Sequence, residues 1–93
     1  MNTALLLAIL AVAALQIGDW WTTSTILAQG GVEKNPLIRG LIALVGVNPA
    51  FLIKGVLVVG VSGYLGQTTL TAPLLMCAVY VVIVGWNLTQ MKR

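Results

Sequence analysis

The stretch GDWWTTSTILAQGGVEKNPLIRG, residues 18–40, decides how this chain is read. It holds Asp19, Glu33, Lys34 and Arg39, more than half the charge of a chain with five Lys or Arg and two Asp or Glu. Around it the sequence is oily: of 93 residues, 59% are hydrophobic and 8% charged. Soluble domains carry about 25% charged residues, and a chain this short exposes much of its surface. So few charges could not clothe that surface in water, and bilayer is the expected solvent. One structural unit of all-α class, an integral membrane protein, is therefore expected over residues 1–93.

Upstream of the stretch, residues 3–29 form the first expected span. At 1.5 Å per residue this is about 40 Å of helix, enough to cross a hydrocarbon core of about 30 Å. The run MNTALLLAILAVAALQ has the apolar core of a signal peptide but no Lys or Arg before it. Its apolar pattern also runs past any cleavage point, so it is read as a retained helix. Gly30 and Gly31 suit a helix C-terminus, residues 30–35 form a loop, and Asn35-Pro36 signals the next helix start.

Residues 36–46, PLIRGLIALVG, are too short to cross alone and are expected to form a short interfacial, re-entrant or broken half-helix. Asn48-Pro49 repeats the start signal, giving a second span over 49–66 with Pro49 in its first turn. After the polar run QTTLT, residues 72–91 make the third span, closed by Lys92 and Arg93. Three crossings gather Lys34, Arg39, Lys92 and Arg93 on one side, whereas four would split them. The bias of Lys and Arg toward the cytoplasm favours three, with the N-terminus outside and the C-terminus inside. The expected location is the cell (inner) membrane or the internal membrane of a virus.

The polar residues inside the spans carry the functional signal. At 100° per residue, Gln16, Asp19 and Thr23 lie within about 60° of one another, with Thr22 flanking Asp19 and Trp21 nearly opposite. A carboxylate in hydrocarbon costs about 2.5–3.5 kcal/mol on the lenient insertion scale. Asp19 must therefore face protein, water or a partner, and Thr22 and Thr23 are placed to donate to it. Measured by helix rise, Asp19 lies about 15 Å below Gln29 and Lys54 about 9 Å below Asn48. A lysine stem spans most of that difference, so an Asp19–Lys54 pair is expected, with Glu33 and Asn35 as competing partners. Gly55, Ser62 and Gly66 lie beside the Lys54 face and suit close helix packing in a membrane. Tyr80 and Asn87, seven apart, share a face of the third span.

The candidate ligand- or ion-binding residues are thus Asp19, Thr22, Thr23, Glu33, Asn35, Lys54 and Asn87. Each also has a structural reading. A buried Asp–Lys pair can fix helix register, and Glu33 and Asn35 can cap a helix start. Gln16, Thr22, Thr23 and Asn87 can bond helix to helix. Trp20, Trp21 and Trp86 suit lipid-facing or interfacial positions.

Several chemistries are excluded or unsupported. Cys77 is the sole cysteine and histidine is absent, so neither an intrachain disulfide nor a Cys/His metal site can form. There is no GxSxG and no convincing carboxylate pair. No catalytic residues, metal or cofactor are expected, and the reading leans away from an enzyme. The net charge of +3 is too scattered for nucleic acid.

Taken together, D-x-x-T-T at 19–23, G-G-x-E-x-N-P at 30–36, Lys54 and Asn87 resemble a family of short bacterial and archaeal multi-span membrane proteins, a domain of unknown function. The resemblance runs from about Gln16 to Asn87, and G-G-V-E-K-N-P is its most specific part. It implies three spans with a broken segment after the loop and treats the polar residues as one unit, but supplies no reaction. Three functions are compatible with the residues. One is a small membrane protein, in the lipid bilayer as a homo-oligomer or with a membrane partner subunit, whose polar centre binds an ion, lipid headgroup or small ligand. Another is a purely structural or accessory subunit, including a virion membrane protein. The last is a holin-like pore-forming protein.

Overall fold

A computed structural model describes residues 2–32 and 35–91. These form four helices: α1 (Thr3–Ala28), α2 (Pro36–Val45), α3 (Val47–Gly66) and α4 (Thr71–Gln90). The helices α1, α3 and α4 are long and apolar enough to cross a bilayer, and α2, at 10 residues, is not. All-helical architecture with three such helices is compatible with a small membrane protein.

Local chemistry sets the helix ends. Asn2 caps α1 by accepting from Leu5 N–H at 2.7 Å. The other end closes in a Schellman turn: Gly31 N–H donates to Ile26 C=O at 2.9 Å and Gly30 N–H to Leu27 C=O at 3.1 Å. Gly30 sits at φ 90°, in left-handed space that a side chain resists. A Cβ on Gly31 would overlap the Ile26 side chain. Asn35 Oδ1 accepts from Leu37 N–H at 3.0 Å and starts α2, with Pro36 as its first residue.

The start of α3 departs from the sequence reading. Asn48 is not its cap; the helix begins at Val47, and Gly46, at φ 91°, both ends α2 and opens α3. That positive φ lets one residue join two helices. Pro49 is tolerated because the first N–H groups of a helix have no intrahelical acceptor. Asn48 is left for a tertiary contact, accepting from Trp20 Nε1 at 2.9 Å.

α1 is the central element, packed on both α3 and α4, while α2 packs against α3. Paired contacts fix the directions. Cys77 lies against Ala8 and Asn87 against Thr22, so α4 runs parallel to α1. Gly66 faces Leu5, Gly63 faces Ile9 and Gly55 faces Gln16, so α3 runs antiparallel. A Cβ at Gly66 would overlap Leu5; small residues let these backbones approach. This order places the end of α1, the loop, the start of α3 and the end of α4 at one end of the bundle.

The buried stripe of α1 changes character along its length. Leu5, Ala8 and Val12 fill one half of the interior, and Gln16, Asp19, Thr22 and Thr23 fill the other. Meanwhile Leu7, Leu10, Ile17, Leu52, Leu57 and Val82 lie exposed on the outside. Polar groups inside and apolar groups outside suit a hydrocarbon solvent, which solvates the apolar exterior and rejects the buried charges.

Candidate functional site

Asp19 anchors the polar half. Its backbone lies in mid-helix, so no backbone N–H is available to its carboxylate, and its partners are side chains. Oδ2 accepts from Lys54 Nζ in a buried ion pair whose side chains are 12% (Lys54) and 9% (Asp19) exposed. Oδ1 accepts from Thr23 Oγ1 and from Asn87 Nδ2, each at 3.2 Å. Thr23 reaches it because residues four apart on a helix share a face. Asn87 arrives from α4 because the parallel packing of α1 and α4 brings their ends together.

Thr22 completes the cluster from the next angular position. Its hydroxyl donates to the Gly18 carbonyl at 2.8 Å, leaving its oxygen to accept from Asn87 Nδ2 at 3.1 Å. Asn87 Nδ2 also lies 3.3 Å from Thr23 Oγ1. One amide thus ties α4 to three side chains of α1.

Lys54 is held by more than its carboxylate. Nζ donates to the Tyr80 hydroxyl at 3.4 Å and lies 4.6 Å from the Tyr80 ring centre and 5.0 Å from that of Phe51. The negative faces of the two rings stabilise the ammonium where water is scarce. Among the described residues, Asp19 and Tyr80 take two of its three N–H groups.

This cluster floors a cleft of about 550 Å³. Asp19, Thr23, Lys54, Tyr80 and Asn87 supply its polar part, and Ile26, Val32, Ile38, Ile83 and Trp86 supply apolar walls. The cleft extends to the loop end, where Asn35 and Gln90 line it. It can therefore accept a polar group at depth with an apolar portion above it. Its floor has one negative and one positive charge.

Of the sequence candidates, the structure brings Asp19, Thr22, Thr23, Lys54 and Asn87 together. Asn35 lines the cleft, but its Oδ1 caps α2. Glu33 lies outside the described residues. Tyr80 joins the site although it is not among the sequence candidates, and its seven-residue spacing from Asn87 is the signal for it. Phe51 carried no signal beyond lying three residues before Lys54. No group of three or more Cys, Asp or Glu able to hold a metal occurs among the described residues.

No curated protein and no solved structure matches the chain. The family model that does match is a domain of unknown function, DUF5658, and it covers residues 10–93. That span holds the whole polar cluster and all of α2, α3 and α4, and the chain belongs to this family.

Proposed function

We propose that this is an integral membrane protein with three crossings, whose cleft binds a small polar ligand or lipid headgroup of no net charge. In this reading α2 lies at the interface: Ile38, Leu41 and Ile42 are its more buried positions, Leu37 and Leu44 are exposed, and Arg39 projects from the other side. The N-terminus is outside and the C-terminus inside, since Arg39 and the end of α4 share the loop end.

The observation that carries the binding reading is the buried Asp19–Lys54 pair at the floor of a cleft open to one end. A bare ion would bring uncompensated charge into a floor that is already neutral, and desolvating it would cost several kcal/mol, as for any ion taken from water. A zwitterion or neutral hydrogen-bonding group avoids that cost. It can accept from the remaining Lys54 N–H and from Tyr80 while Asp19 keeps its present partners.

A second reading rests on the same bonds. Both carboxylate oxygens of Asp19 are engaged within the chain, as they would be if the pair served only to fix helix register in an accessory subunit. A pore within one chain has less support, because beyond Gln16 the interior is filled by Val12, Ala8 and Leu5.

Native mass spectrometry from nanodiscs separates the two main readings. Wild type should retain a bound molecule, and the double variant Asp19→Asn/Lys54→Met should assemble without it. A wild type that carries nothing, with the double variant indistinguishable from it, leaves the structural reading.

A further inference from the structure

A second concavity lies between α1 and α3, with no residue of α4 in its lining, and measures about 930 Å³. It is nearly all apolar, with Gln16 in its lining. Gln16 is 7% exposed, and both its amide nitrogen and its amide oxygen are buried without a hydrogen-bond partner. Trp20 Nε1, in the same lining, is committed to Asn48 Oδ1. An unpaired primary amide in hydrocarbon is costly, and an acyl chain filling the groove would offer it neither donor nor acceptor.

A primary amide needs one acceptor and one donor side by side, and a second primary amide supplies both in register. A two-fold axis passing close to Gln16 presents it with its own copy, each Nε2 donating to the partner's Oε1. An interface about such an axis must be self-complementary, and this surface carries both projecting side chains and a hollow. Ile17, Leu52 and Val56 project from it, exposed at 65%, 69% and 64%. Beside them Gly60 leaves a hollow, where a Cβ would meet nothing within 4 Å, while Gly55 packs on the Gln16 stem. Small residues at such a surface let membrane helices approach closely.

We propose that two copies of this chain pair through the α1–α3 groove about a two-fold axis at Gln16. Both amide atoms are buried within the single chain, so this pairing requires the Gln16 side chain to rotate into the groove that it lines. The pairing leaves the cleft on the α4 side open, so it is independent of ligand binding there.

The test is association of the full chain in liposomes, read by energy transfer between labelled copies as the protein-to-lipid ratio is varied. Wild type should dimerise. Gln16→Leu should weaken pairing roughly ten- to a hundredfold, the loss of two amide bonds of the strength measured between membrane helices. Gly60→Trp, which fills the groove from its exposed side without touching the buried residues, should abolish pairing. In a Cys77→Ala background, Ile17→Cys, exposed in the groove beside Gln16, should be joined to its own copy by a short bifunctional maleimide, and Val81→Cys, on the exposed face of α4, should not. A monomeric wild type at every density, full pairing by either groove variant, or cross-linking at position 81 in place of 17 would overturn the proposal. Should Gln16→Leu fail to fold, the Gly60→Trp and cross-linking results still decide.

Discussion

Removing one partner of the Asp19–Lys54 pair should destabilise the bundle far more than removing both. Both side chains are at least 88% buried, from exposures of 12% and 9%. Breaking a buried pair by deleting one partner costs about 3–5 kcal/mol. In Lys54→Met the carboxylate keeps its bonds from Thr23 and Asn87, which places the loss near the lower end, about 3 kcal/mol. In Asp19→Asn the ammonium keeps Tyr80 and two ring faces, and a similar loss of about 3 kcal/mol is expected. The double variant leaves no unpaired charge, and replacing a buried pair by neutral groups is often near neutral, so about 1 kcal/mol is expected. The coupling is then about 5 kcal/mol, a cycle far from additive. Reversible unfolding in bicelles by steric trapping measures all four proteins. Single losses below about 1 kcal/mol that add in the double variant would place both charges in water and refute the reasoning.

Three further outcomes follow from individual contacts. Asn87→Leu should loosen α4 from α1 by about 2–3 kcal/mol, the cost of leaving a charged acceptor short of a buried hydrogen bond, with the same unfolding assay as readout. Gly30→Val should cost about 1–2 kcal/mol, because a branched residue resists the left-handed conformation at φ 90°; a neutral result would mean the Schellman turn does not form. Leu44→Cys carrying a spin label, in a Cys77→Ala background, should report a depth at the headgroup boundary from oxygen and nickel accessibility. A label found at the bilayer midplane would show that α2 enters the hydrocarbon.

Much of the helix layout was legible because apolar length and turn residues speak locally. Gly30, Gly31, Asn35 and Pro36 mark the loop by backbone chemistry that needs no tertiary context. The angular stripe of Gln16, Asp19 and Thr23 was legible for a different reason. In helices apolar on every side, a polar residue is the only one whose direction matters. The same fact hides the rest: Phe51 and Tyr80 are apolar or aromatic among many such residues, and no periodicity tells which of them face inward.

Asn48 shows a second limit. Its sequence signal, an Asx before proline, is a capping signal, and it lost to the positive φ of Gly46 and to Trp20, 28 residues away in the chain. Gln16 shows a third. It lies on the polar stripe, yet the structure gives its amide no bond, because α3 passes it with Gly55 and no side chain. A sequence reveals that a side chain has hydrogen bonds to make, but not whether a neighbour reaches it.

Asp19 is the sole aspartate in the chain, so a ¹³Cγ-aspartate label reports one site. Combined with ¹⁵Nζ-lysine, and with Lys34→Arg and Lys92→Arg leaving Lys54 as the single labelled amine, solid-state NMR dephasing in liposomes measures the Asp19–Lys54 separation directly. The expected result is strong dephasing at a carbon–nitrogen distance below about 4 Å, the reach of a charge-assisted hydrogen bond plus one C–O bond. Dephasing no greater than that of two charges more than about 6 Å apart, beyond any direct hydrogen bond, would contradict the central claim that acid and base are buried against each other.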